Sequence, residues 1–100
     1  MPEWTFLTNH GLVLSYVACR PRVTALELSN LVGITERAVR KVLNDLETDG
    51  YITKKREGRR NRYKVNPELP LRHPGHGETA IGDLLEVLGW KKRGRKTKAK

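Results

Sequence analysis

A single cysteine, Cys19, excludes an intramolecular disulfide and a thiolate cluster for zinc. Apolar residues precede it, so a buried, unreactive thiol is expected there. The apolar runs are only a handful of residues long, far short of the about 20 needed to cross a bilayer. The N-terminus also lacks a basic-then-apolar signal pattern. The expectation is a soluble, cytoplasmic protein that does not enter a membrane. No Ser/His/Asp or Cys/His arrangement occurs in a supporting context, and neither a glycine-rich phosphate loop nor an acidic metal cluster is present. Catalysis and a bound cofactor are therefore not expected. His73 and His76 lie in a Pro/Gly-rich stretch with no carboxylate or thiol at ligand spacing, and His10 is far away in sequence, so no metal site is expected either.

Acidic residues are the other shortage. The chain has 20 Lys and Arg against 11 Asp and Glu, a net charge of +9 in 100 residues. The surplus is uneven: residues 1–66 carry a net +5, residues 67–90 a net −3, and residues 91–100 a net +7. Charge clustered in this way supports an anionic partner and says nothing about the fold. The length allows one domain with a small core.

Against these absences, residues 35–50 form the most structured stretch. Thr35 is a good helix N-cap, and Glu36 falls in the first turn, where the helix dipole favours negative charge. Val39, Val42, Leu43 and Leu46 recur at helical spacing and make one apolar face. Gly50 suits the left-handed residue that ends a helix. The opposite face carries Arg37, Arg40, Lys41 and Asn44. The result is a short helix with an apolar back and a basic, hydrogen-bonding front.

The rest of the chain supports that helix. In residues 1–8, Trp4, Phe6 and Leu7 are apolar enough to dock. Thr8 or Asn9 is positioned to cap a helix over residues 11–19 that is apolar nearly all round and so wants two partners. Arg20-Pro21-Arg22 breaks it. Thr24 and Glu27 form a capping box for a helix over residues 25–32, which is expected to bury Leu28, Leu31 and Val32 and to stop at Gly33. Residues 51–56 and 61–65 are β-prone and flank Glu57-Gly58-Arg59-Arg60, giving a hairpin with Ile52, Tyr63 and Val65 facing the core. Between Lys54 and Lys64 lie seven basic residues and one acidic one, a concentration that repels itself unless phosphates or other anions lie against it.

Residues 67–77 have the composition of a Pro/Gly linker. Residues 78–88 resume helical spacing with Ile81, Leu84, Leu85 and Leu88. Helices under about 12–15 residues are marginal alone, so this one must dock on its own domain or across a dimer.

Helix, helix, tight turn, helix and basic hairpin is the order of a winged helix-turn-helix domain. Ser29 and Gly33, then Val39 and Val42, have the spacing that lets two helices cross closely. Leu43-x-x-Leu46-x-x-x-Gly50-Tyr51-Ile52, followed by Gly58-Arg59-Arg60 and Tyr63-x-Val65, resembles the recognition-helix-to-wing passage of MarR and ArsR-like regulators. The resemblance covers roughly residues 9–66. Two departures stand out: Ser29 occupies a position where alanine is usual, and the segment after the wing is too short for the long dimerising helices of typical MarR proteins.

The resemblance implies a mainly α fold with a small β-hairpin: a winged helix-turn-helix over residues 1–66, a linker over 67–77, a docking or dimerisation helix over 78–90 and a basic tail over 91–100. It also implies a homodimeric transcriptional regulator, located in the cytoplasm on the nucleoid, with double-stranded DNA as partner. The recognition helix would lie in the major groove and the wing on the backbone or adjacent minor groove. The groove-facing set would be Thr35, Glu36, Arg37, Arg40, Lys41 and Asn44. Arginine or lysine suits guanine, Asn44 suits adenine and Glu36 suits cytosine, while Thr35 suits a phosphate at the helix N-terminus. Lys54, Lys55, Arg56, Arg59, Arg60 and Arg62 would supply the wing contacts. An architectural DNA-binding protein of low sequence specificity is the alternative. Arg93-Gly94-Arg95 resembles the core of an AT-hook without its following proline, and a solubilising tail reads equally well.

Overall fold

The computed structural model describes residues 5–71, 75, 77 and 79–90. Trp4, the pair His73 and His76, Glu78 and the basic tail 91–100 lie outside the described residues. The elements run α1 (Asn9–Cys19), α2 (Ala25–Val32), α3 (Glu36–Thr48), β1 (Ile52–Glu57), β2 (Arg60–Val65) and α4 (Ile81–Val87).

Each of the first three helices begins on a threonine whose hydroxyl closes an otherwise unpaired amide. Thr8 Oγ1 accepts from Gly11 N at 3.2 Å, which makes Thr8 rather than Asn9 the first cap. At α2 the capping box is complete: Thr24 Oγ1 accepts from Glu27 N at 3.1 Å, and Glu27 Oε1 accepts from Thr24 N at 2.9 Å. Thr35 Oγ1 accepts from Ala38 N at 3.0 Å. Gly33 and Gly50 are left-handed where the second and third helices were expected to end, with φ of 88° and 87°.

Val39, Val42, Leu43 and Leu46 of α3 are all buried, as their spacing required. They meet Val13, Leu14, Val17 and Ala18 of α1, Leu28 of α2, and Tyr51, Ile52, Tyr63 and Val65 of the hairpin in one core. Two burial expectations fail. Cys19 is exposed, because the last residue of α1 falls outside the stripe that buries Val17 and Ala18. Leu31 is also exposed, at 36%, and Ser29 takes its place in the interior. The small Ser29 hydroxyl satisfies itself on Leu26 O at 2.7 Å, and the Ser29 carbonyl accepts the amides of Gly33 and Ile34 to close the turn. A buried serine this size lets the turn between α2 and α3 pack tightly, whereas leucine at that angle faces out.

The hairpin register is Ile52↔Val65 through Glu57↔Arg60. Glu57 and Arg60, expected in the tip, are therefore the last strand pair, and the loop shrinks to Gly58-Arg59. Gly58 has φ of 61° and, among the described residues, no non-glycine residue has positive φ, which fits a II′ hairpin turn, where the first loop position favours glycine. A third strand-like contact joins this sheet: Tyr63 N donates to Pro21 O at 2.8 Å.

After the wing the chain turns back along the domain. Tyr51 O–H donates to Pro70 O, Leu71 N donates to Thr79 O at 3.0 Å, and Pro70 forms a bridge with Ala80. At the start of α4, no side chain among the described residues caps the helix. Backbone carbonyls serve instead, Leu69 O accepting from Ile81 N at 2.7 Å and Pro67 O from Gly82 N at 2.8 Å. Only glycine permits that approach, since a Cβ on Gly82 would sit 2.6 Å from Pro67 Cβ. Ile81 and Leu85 are buried in the common core, with Leu84 and Trp90 packed against it. Among the described residues, no helix is long and apolar enough to cross a membrane.

Candidate nucleic-acid interface

The exposed side of α3 faces the wing across a groove of about 410 Å³. Arg40, Asn44 and Glu47 line it from α3, Lys54 and Arg56 from β1, and Arg59 and Arg60 from the turn and β2. Strand alternation explains the set. Lys54 and Arg56 share a face with Ile52, the residue buried against the core, and pair with Tyr63 and Asn61 across the hairpin.

Six residues expected at the interface, Arg40, Asn44, Lys54, Arg56, Arg59 and Arg60, thus border one groove. The other six lie around it. Thr35 is engaged as the α3 cap. Arg37 is exposed and has no ion-pair partner among the described residues. Lys41 stands on the α1 side of α3, where its Nζ lies 3.5 Å from Asp45 Oδ2. Glu36 is bonded to Arg40 one turn along. Lys55 is exposed on the far face of the hairpin, directly opposite Arg62 in the register, and Arg62 borders a separate hollow with Pro21 and Trp90. Like charges placed directly across strands destabilise a hairpin; Glu57 offsets part of this, its Oε2 lying 3.8 Å from Arg62.

The acids form a pattern the sequence conceals. Glu36 pairs with Arg40, Asp45 with Lys41, Glu47 with Lys54 at 3.9 Å, Glu57 with Arg62 and Arg22 at 3.8 Å each, and Glu27 with Arg60 at 3.5 Å. Two of these pairs follow the i,i+4 rule and are legible in sequence. The pairs to Lys54, Arg22 and Arg60 join separate elements and need the fold. All are exposed, so each contributes little to stability. Three of the paired cations, Arg40, Lys54 and Arg60, border the groove, and their partners restrain those long side chains there.

Asp45 also faces His10 of α1, with Nε2 2.8 Å from Oδ2. A carboxylate only accepts, so Nε2 carries the proton. The hydrogen bond from His10 is the main cause that holds the Asp45 carboxyl below its usual value, with Lys41 adding to it against a smaller opposing effect of burial. A carboxyl depressed in the folded state contributes stability that is present above its unfolded pKa and lost as pH falls through its folded one. In Asp45→Asn that contribution is absent, so the acid limb of stability should be shallower than in the wild type as pH drops below 3.8, the ordinary aspartate value. Urea unfolding followed across that range reads the difference. Parallel limbs for the two proteins would remove Asp45 as a contributor.

A helix pair joined by a tight turn, an exposed basic second helix and a β-hairpin beside it define a winged helix-turn-helix. Residues 8–53, just under half of the chain, match the family described as winged helix-turn-helix DNA-binding, in agreement with the fold from α1 to the start of the wing. No curated protein matches the sequence. Several solved structures share the fold. MepR, a transcription regulator of the Staphylococcus aureus multidrug efflux pump MepA, aligns with a TM-score of 0.56 at 14% identity, covering 81% of this chain and 56% of MepR. A MarR protein from Peptoclostridium difficile gives 0.58 at 17% identity, covering 81% of this chain and 47% of its own. A predicted DNA-binding transcriptional regulator from E. coli gives 0.56 at 19%, covering 78% of this chain and 70% of that protein. The chain therefore aligns with about half the length of the first two.

Proposed function

We propose that this protein is a sequence-specific double-stranded DNA-binding transcriptional regulator acting as a homodimer, with α3 in the major groove and the β1–β2 wing on the backbone or adjacent minor groove. The observation that carries this reading is the single groove in which Arg40 and Asn44 of α3 meet Lys54, Arg56 and Arg59 of the wing. Base readers and phosphate binders on one continuous surface are what a duplex engaged along both elements requires. Arg37, Arg40 or Lys41 can donate to a guanine edge, Arg40 being the one that borders the groove, and Asn44 can pair with adenine. Glu36, bonded to Arg40 in the free protein, orients that guanidinium and accepts from cytosine only when the pair opens.

Two copies would place their recognition helices about 34–36 Å apart, one turn of DNA. The half-buried face of α1, with Leu12 and Tyr16, and the exposed Val87 and Leu88 of α4 supply apolar surface for the second copy. Selection of bound duplexes from a random pool tests the reading: enrichment of one inverted-repeat motif is the expected result. Binding without enrichment would replace it with an architectural protein of low specificity, and enrichment of a single half-site with an 11.4 kDa monomer by light scattering would remove the dimer.

A further inference from the structure

Arg20-Pro21-Arg22 reads in sequence only as a helix breaker. In the fold it is stitched to the wing. Arg20 ends α1 as its C-cap, its amide donating to Tyr16 O at 2.8 Å, and Val23 N donates back to Arg20 O at 3.0 Å. The Pro21 carbonyl accepts from Tyr63 N at 2.8 Å, so Arg22 runs beside β2 at the edge of the hairpin, immediately before the α2 cap.

Arg60 locks this edge in place. Its Nη1 donates to Arg22 O at 2.9 Å and lies 3.5 Å from Glu27 Oε1, the same oxygen that accepts from Thr24 N. One guanidinium therefore joins the tip end of the wing, the turn and the start of α2. In the free protein Arg60 is thus engaged from both sides and braces this edge. The cations it leaves facing solvent are Arg20 and Arg22. Arg20 is exposed with no ion-pair partner among the described residues, and the Arg22 side chain is 60% exposed with Glu57 3.8 Å away.

These arginines rim a hollow of about 450 Å³ floored by Val23, Asn30 and Leu31. Val23 and Arg60 border both this hollow and the groove between α3 and the wing, so the two adjoin. The acids at this end do not repel an incoming anion freely, because Glu27 is engaged by Thr24 and Arg60 and Glu57 by Arg62 and Arg22. A guanidinium is suited to two-point contact with phosphate oxygens.

We propose that Arg20 and Arg22 form a backbone-phosphate site that extends the DNA contact beyond the wing, onto the duplex flanking the sequence read by α3. This inference rests on the proposed DNA-binding function.

The test is a salt titration of wild type and Arg20→Gln/Arg22→Gln on two duplexes, one ending at the selected motif and one carrying an extra turn of flank on each side. Each duplex phosphate contact contributes about 0.9 to the slope of log K against log salt. The double variant should lose roughly 1–2 of slope per bound domain on the long duplex, with several-fold weaker binding at low salt. It should match the wild type on the short duplex and select the same motif. Equal slopes on the long duplex would overturn the proposal while leaving the DNA-binding function standing. Wild-type protein that binds neither duplex would overturn both. Matching thermal midpoints of the two proteins show that the fold is intact.

Discussion

Leu85→Ala should lower the unfolding free energy by about 2–5 kcal/mol, the usual range for emptying a buried leucine site. Leu85 is 1% exposed and belongs to the same core as Val13, Leu28 and Ile52, although α4 is only seven residues long. For a domain of this size 1 kcal/mol moves Tm by about 4–8 °C, so even the lower bound costs roughly 8–16 °C. The comparison that matters is between protein concentrations. Because α4 docks on its own domain, the loss should be the same at micromolar and at tenfold higher concentration. A loss that shrinks as concentration rises would mean that Leu85 is held by a second copy.

Arg40→Ala has the largest expected effect on binding. Arg40 sits where the α3 face meets the wing groove, and a good bidentate contact to a guanine contributes about 1–3 kcal/mol of discrimination. Truncation also releases the Glu36 carboxylate, which then faces the DNA without its counter-charge. Fluorescence anisotropy on the selected motif should show a loss of about 1–3 kcal/mol, with a much smaller loss on random duplex. The double variant Glu36→Gln/Arg40→Ala should recover part of the affinity on both duplexes. Equal losses on motif and random DNA would make Arg40 a phosphate contact.

The helix at the centre of the domain was legible because three independent signals agreed on it: the Thr35 cap, the period of Val39, Val42, Leu43 and Leu46, and Gly50 at its end. The hairpin was legible from its alternation, which placed Ile52, Tyr63 and Val65 inward. Leu31 and Cys19 were misjudged for a shared reason. Near the end of a short helix, a residue one position off the buried stripe turns about 100° away from it, and apolar neighbours in sequence do not reveal that. Arg22 escaped notice because its partners, Glu57 and Arg60, are 35 and 38 residues away. A single strand-like bond at Pro21 leaves no alternating pattern to read. Likewise, Glu47 beside Lys54 and Glu27 beside Arg60 become pairs only once the wing has folded against α3 and α2.

The return of the chain over residues 67–71, which seats α4, also sets the order in which the protein is completed during synthesis. Leu14 of α1 and Ile81 of α4 line one hollow, and Val17, Ala18 and Trp90 line another, so the earliest helix to be made is covered in part by the last. The recognition helix and wing thus rest on a core whose last wall comes from residues 81–90, and their stability depends on that segment being seated.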